Sequence, residues 1–206
     1  MAMEEETSHI VIFVEGDTDK VFFTELLSFY RKQSLTPIYS CEIQNLRGVT
    51  RYTSKVIGKL QNEICPNAYK KGFIVKAVCC SYDTDIFEFS EQPAINWNKV
   101  KREIKRIGIK QFCEIKVECM IEDWMLDDLM GLCSYLKIDT PRTLQGKTGF
   151  EKIQTLFRKA NKVYLKGVSI QKFIKNINME KICSKRKESL VELENLLNVT
   201  LGRLMK

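Results

Sequence analysis

Acidic side chains fall into three groups along this chain, each following a run rich in apolar residues. Glu15 follows Ile10–Val14 and precedes Gly16, Asp17, Thr18 and Asp19. Asp83 and Asp85, separated by Thr84, follow the run from Gly72 to Tyr82. Glu118, Glu122 and Asp123 lie in and just after the run from Gln111 to Ile121. Carboxylates packed together repel, and cannot all stay ionised unless cations neutralise them. Hard oxygen donors with no His or Cys among them call for Mg2+ or Mn2+. A divalent ion among carboxylates has phosphoryl chemistry as a frequent use, because it activates water and neutralises charge on a leaving oxygen. The chain has no G-x-x-x-x-G-K-[ST] loop, so P-loop NTP hydrolysis is not indicated. A plainer role also suits Glu15 and Asp17, which favour a helix N-terminus through its dipole.

The three groups converge if the apolar runs are strands of one parallel sheet. Ile10–Val14 is too short for a buried helix and right for a strand buried on both faces. Gly16 can take a positive φ at the turn that follows, and Asp17 or Thr18 can cap the next helix. That helix carries Val21, Phe22, Leu26 and Phe29 at helical spacing, with Asp19 in its first turn. Glu15 then stands at the carboxyl end of a strand, where open α/β sheets place their ligands. Further strands are predicted over 38–44, 73–82 and 112–121. In Asp83-Thr84-Asp85 a period of two puts both carboxylates on one side, and Ser81 shares that face. Helices are predicted from Val49 to Ile64, where Pro66 stops the helix, over 96–107, and from Glu122 onward. Another opens at Thr148, whose spacing to Glu151 is that of a capping box, and two more cover 170–176 and 188–197. Ile86–Pro93 reads as a loop.

At 206 residues and 44% hydrophobic, the chain suits one domain with an appendage. No apolar run approaches the roughly 18 residues of a membrane span. The acidic start MAMEEETSH lacks the basic and apolar regions of a signal peptide, so a cytoplasmic protein is expected. Eight cysteines without a C-x-x-C pair, and a single histidine, argue against zinc and read as reduced thiols. Charge divides the chain: residues 1–140 carry 18 Lys and Arg against 21 Asp and Glu, and residues 141–206 carry 15 against 5. The expected organisation is an α/β core over 1–140 and a basic helical extension over 141–206 packed on it. An acidic body with a basic extension suits a polyanion held beside a metal-binding cluster. The extension makes Lys166, Lys185, Arg186 and Lys187 candidates for phosphate contacts. The same lysines also make an ordinary solvated surface.

The pattern strand–Glu15–Gly16–x–x–Asp19, with strand–Asp83–x–Asp85 about seventy residues later, resembles the TOPRIM domain. That resemblance implies a three-layer α/β fold with a mostly parallel four-stranded core sheet. The closer resemblance is to OLD-family and stand-alone TOPRIM nucleases of bacterial defence systems. EGDTD matches their E-G-x-[ST]-[DE] motif, IEDWMLDD looks like their acidic Trp-containing segment, and YLKG puts Lys166 where OLD-like nucleases carry a lysine. The likeness spans roughly residues 9–170, and departs from the OLD-like pattern at Asp19, where glutamate is usual. By resemblance, Glu15, Asp83 and Asp85 bind the metal and are catalytic. Asp19 and Glu122, and less readily Asp123, would serve a second ion. Ser81 would orient water there, and Lys166 would stabilise charge developing at phosphorus. The activity implied is Mg2+- or Mn2+-dependent hydrolysis of phosphodiester bonds in DNA or RNA, in antiviral defence, with a separate ATPase or sensor protein as partner. The alternative is a TOPRIM-like binding or regulatory module without turnover, acting through a partner protein.

Overall fold

The computed structural model describes residues 7–85, 95–167 and 170–202. The loop expected over Ile86–Pro93 lies outside the described residues. All of strand β1 (Ser8–Val14) is buried. Its Ile10, Ile12 and Val14 enter one core while Val11 and Phe13 enter another on the opposite face. Burial on both faces is why the run is continuously apolar instead of alternating. Helix α1 (Asp17–Gln33) leads to β2 (Ser40–Asn45), which pairs parallel with β1. Strand β3 (Ile74–Asp83) pairs parallel with the other edge of β1, and β4 (Gln111–Val117) pairs parallel with β3. The order β2-β1-β3-β4 places the strands leading to Glu15 and Asp83 side by side at the centre.

Helices cover both faces, making three layers. Helix α1 packs Phe22, Phe23 and Leu26 on one face. The other face is covered by α2 (Tyr52–Lys59), α3 (Cys65–Lys70) and α4 (Trp97–Arg106), through Val56, Ala68, Val100 and Ile104. The remaining helices join α1: α5 (Ile121–Met125), α6 (Leu129–Leu136), α7 (Gly149–Lys159), α8 (Gln171–Ile174), α9 (Met179–Lys185) and α10 (Lys187–Leu197). Leu190, Leu193 and Leu197 of α10 lie in the same core as Ile10 and Ile12. All eight cysteines are free thiols, five of them buried. Among the described residues no helix is long and apolar enough to cross a membrane.

Local structure departs from the sequence expectations in places. Pro66 does not end its helix. A π turn over Leu60–Ile64 joins α2 to α3, and Pro66 sits in the first turn of α3. The wider turn hands the Cys65 N–H to Leu60 O, so the N–H that proline lacks falls where the ladder is already interrupted. Gly16 is extended, with φ −142° and ψ 179°, and it is Gly16 that occupies the N-cap of α1, not Asp17 or Thr18. Its lack of a side chain serves a close approach, since a Cβ there would stand 3.2 Å from Asp19 Oδ2. Strand β4 stops at Val117, short of Ile121, because the chain turns at Cys119 with φ 59°. Thr148 accepts from the Glu151 N–H at 3.2 Å, but Glu151 reaches back to the Lys147 N–H, one residue before the capping-box position. Helix α9, absent from the sequence reading, is capped by Asn178 and buries only Met179, Ile182 and Cys183, too short a stripe to show a period.

One buried side chain ties the central strands where they separate. The last β1–β3 pair is Phe13 with Cys80. Just beyond it, the Tyr52 hydroxyl donates to Ser81 O and lies 3.4 Å from Phe13 O. Tyr52→Phe removes the only polar atom of this side chain and leaves buried carbonyls without that donor. It should lower the unfolding free energy by about 1–3 kcal/mol in urea titration, with an unchanged far-UV CD spectrum.

Candidate functional site

Glu15 leaves the end of β1 and its Oε1 accepts the backbone N–H of Asp83, the last residue of β3, at 3.0 Å. That bond joins two of the three acidic groups across 68 residues of chain. Asp19, in the first turn of α1, and Glu122, in α5, are both buried. With Glu15, Asp83 and Lys166 they line a cleft of about 310 Å³ at the carboxyl edge of the sheet. Gly167, at φ 90°, also lines it, and its N–H donates to Thr18 Oγ1 at 2.9 Å. A Cβ on Gly167 would lie 3.3 Å from Asp17 Cβ, and a φ of 90° strains any other residue, so glycine suits the chain where it lies against α1 after Lys166. Lys166 Nζ stands 3.4 Å from Glu122 Oε1 and 4.8 Å from the centre of the Phe150 ring.

The carboxyls raise one another's affinity for protons. Burial pushes Glu15 up to about 7, with the charges of Asp19 and Asp85 adding to the shift and the Asp83 N–H and Lys166 opposing it. Asp83 is pushed well above the carboxylate range, first by burial and then by Asp19, Glu15, Glu122 and Asp85. Burial, with Glu122 beside it, also raises Asp19. Asp19 Oδ1, Asp83 Oδ1 and Glu122 Oε2 are buried and accept no hydrogen bond. Unsatisfied hard oxygens around one cleft fit a divalent cation. As they stand, however, no three His, Cys, Asp or Glu side chains among the described residues form a group ready to hold one. Ligation would need these side chains to draw in.

Other candidates lie around this centre. Asp85 is close enough to raise Glu15 and Asp83, although it does not line the cleft. The Asp83-Thr84-Asp85 turn is fastened to the turn after β4: Thr84 N–H donates to Val117 O, Asp85 N–H to Cys119 O, and Cys119 N–H to Thr84 Oγ1. Ser81 is fully buried on β3 with no partner for its hydroxyl. Of the third acidic group, Glu122 alone reaches the cleft. Glu118 is exposed and paired with Arg186, and Asp123 lies against Gly149, where a Cβ would stand 2.7 Å from the Asp123 nitrogen. Lys185 and Arg186 do not line the cleft either. Lys185 Nζ is 3.4 Å from Asp127 Oδ1, and Arg186 grips Asp127 at 2.6 Å and Glu118 at 2.8 Å. Lys187 starts α10 and is exposed. Trp124 is buried in the core, edge-on to Phe22. Tyr164, Thr18 and Phe150 touch the site and were missed in the sequence. The Tyr164 hydroxyl bonds Glu122 across 42 residues, a partnership no local motif marks.

No protein-family model matches this chain, and no curated protein matches it. Among solved structures, it is similar to the C-terminal region of the Xanthomonas campestris pv. campestris OLD protein. That likeness covers 91% of this chain and 97% of that one, at 13% identity and a TM-score of 0.36.

The raised carboxyls set a pH dependence. An acid whose folded value lies above its unfolded value holds its proton more tightly when folded. It therefore contributes no penalty below the unfolded value and a full one above the folded value. For Glu15 that window runs from 4.5 to about 7. In EDTA, stability to urea should fall as pH rises through this window, with Asp83 and Asp19 acting in the same direction. Glu15→Gln should flatten the decline while keeping an oxygen for the Asp83 N–H.

Proposed function

We propose that the protein is a divalent-metal-dependent nuclease of TOPRIM type that hydrolyses phosphodiester bonds of DNA or RNA. The observation that carries this reading is the cleft in which buried, unpartnered carboxylate oxygens of Asp19, Asp83 and Glu122 stand beside Glu15 and Lys166. Mg2+ or Mn2+ bound there would supply Lewis acidity and an activated water. Glu15 and Asp83 would hold the ion from the two central strands, with Asp85 beside them. Asp19 and Glu122 would do so from the helix layer. Their backbone supports would hold the carboxylates around one cleft, so that only side-chain rotation is needed for them to close on an ion. Lys166, 54% exposed at the cleft mouth, is the group able to follow charge onto a phosphate oxygen. The basic balance of residues 141–206 would draw the polyanion toward an edge that repels it. Lys185 and Arg186 bring less to that attraction than their charge implies, because Asp127 and Glu118 already pair with them. A separate ATPase partner and a role in bacterial or phage defence belong to this proposal through the sequence resemblance.

A second reading has its own observation. The Lys166 ammonium sits against Glu122 Oε1 and supplies a cation to the cleft without any metal. A binding or regulatory module without turnover would need no more.

Supercoiled plasmid and total RNA, each incubated with Mg2+, Mn2+ or EDTA, separate the two readings. Metal-dependent cleavage is expected. Asp83→Asn and Asp85→Asn should each slow it by at least about 100-fold, while raising the melting temperature in EDTA by relieving repulsion. Variants as active as wild type would leave the acidic turn a structural cap. Lys166→Ala should lower single-turnover cleavage by about 100-fold and leave filter-binding affinity within about 3-fold, since a contact made in the transition state adds little to ground-state binding. Affinity should fall with salt at a slope of about −0.9 per phosphate contact on duplex DNA. Salt-independent binding would remove the basic extension from the proposed groove.

A further inference from the structure

The strap Tyr164–Gly167 delivers three donors to the cleft. Tyr164 Oη donates to Glu122 Oε1 at 3.1 Å, and Lys166 Nζ approaches the same oxygen at 3.4 Å. Gly167 N–H fastens the strap to Thr18 on α1. Both donors on Glu122 choose Oε1, while Oε2, equally buried, has no partner. The two donors differ in how firmly they are held. Lys166 is half exposed on a flexible stem. Tyr164 is 3% exposed, its ring wedged among Phe150, Phe157 and Phe173 with centroids 5.7, 5.2 and 6.3 Å away. A phenol packed on several sides holds its hydroxyl at one point, whereas an exposed ammonium follows the charge around it. Side chains that grip a ligand's far atom decide which lone pair the ligand presents.

We infer that Tyr164 is a positioning residue for Glu122: its hydroxyl anchors Oε1 and leaves Oε2 as the oxygen offered to a divalent cation. The inference rests on the metal-dependent reading of the cleft. It gives the C-terminal extension a structural part in the site, separate from its charge. With Tyr164 on Oε1, Lys166 can leave Glu122 for a phosphate without freeing the carboxylate to rotate.

Isothermal titration of the full chain with Mn2+, without substrate, tests the assignment. Tyr164→Phe keeps the ring and its packing, and should weaken Mn2+ binding by about 10-fold with an unchanged far-UV CD spectrum. In a Glu122→Ala background the same change should have no further effect, because the side chain through which the hydroxyl acts is gone. Equal affinity of wild type and Tyr164→Phe, or the same loss in both backgrounds, would overturn it. A wild-type protein that binds Mn2+ yet cleaves neither plasmid nor RNA would overturn the nuclease reading and leave the assignment of Tyr164 standing. A wild type that binds no Mn2+ would overturn both.

Discussion

Carboxylates taken out of water beside one another repel, and the repulsion grows as the medium around them becomes less polar. Glu15, Asp19, Asp83 and Glu122 meet under that constraint, and much of the surrounding structure opposes it. The Asp83 N–H faces Glu15. Tyr164 and Lys166 face Glu122. What remains uncompensated is an oxygen on each of Asp19, Asp83 and Glu122. A fold tolerates unsatisfied buried oxygens where something other than stability is gained.

The sheet makes that cost sustainable. Two adjacent central strands, buried on both faces, end at the same edge and present Glu15 and Asp83 from backbone that has little freedom to relax. Tyr52 bridges the two strands beneath the acids, so repulsion between the carboxyls acts on a joined pair. The acidic turn Asp83-Thr84-Asp85 is hydrogen-bonded to the end of β4 and the turn after it, which links it through α5 to Glu122. The acids are therefore coupled through the backbone as well as through the field between them.

The basic extension is interlocked with the acidic body. Arg186 spans Asp127 and Glu118, on either side of the segment that carries Glu122, and its guanidinium lies 5.8 Å from the Trp124 ring. Lys181 holds the buried Asp128 at 3.2 Å. These pairs consume part of the charge that composition alone would assign to a polyanion surface. Lys166 keeps its exposure, because the strap that carries it is tied down by the neighbouring Tyr164 and Gly167.

The apolar runs at Ile10–Val14 and before Asp83 read as buried strands, and from them came the expectation of a parallel sheet with acids at its carboxyl edge. Local chemistry was legible at Thr148, which caps α7. The extended Gly16 and the helix that continues through Pro66 were not legible. Each depends on what packs nearby, an Asp19 carboxylate in one case and a π turn that absorbs the missing N–H in the other. In the site, Glu15, Asp19, Asp83 and Glu122 could be picked from their places after strands. Glu122 was favoured over Asp123 through the family resemblance, and the structure adds that Glu122 lines the cleft while Glu118 and Asp123 do not. Tyr164 could not be found at all, since a tyrosine becomes a carboxylate's partner only when a strap 42 residues away in sequence is packed against it. Periodicity and strand ends are written in neighbouring residues. Which buried oxygen receives a hydrogen bond, and which is left without one, is decided by contacts that exist only once the core has closed.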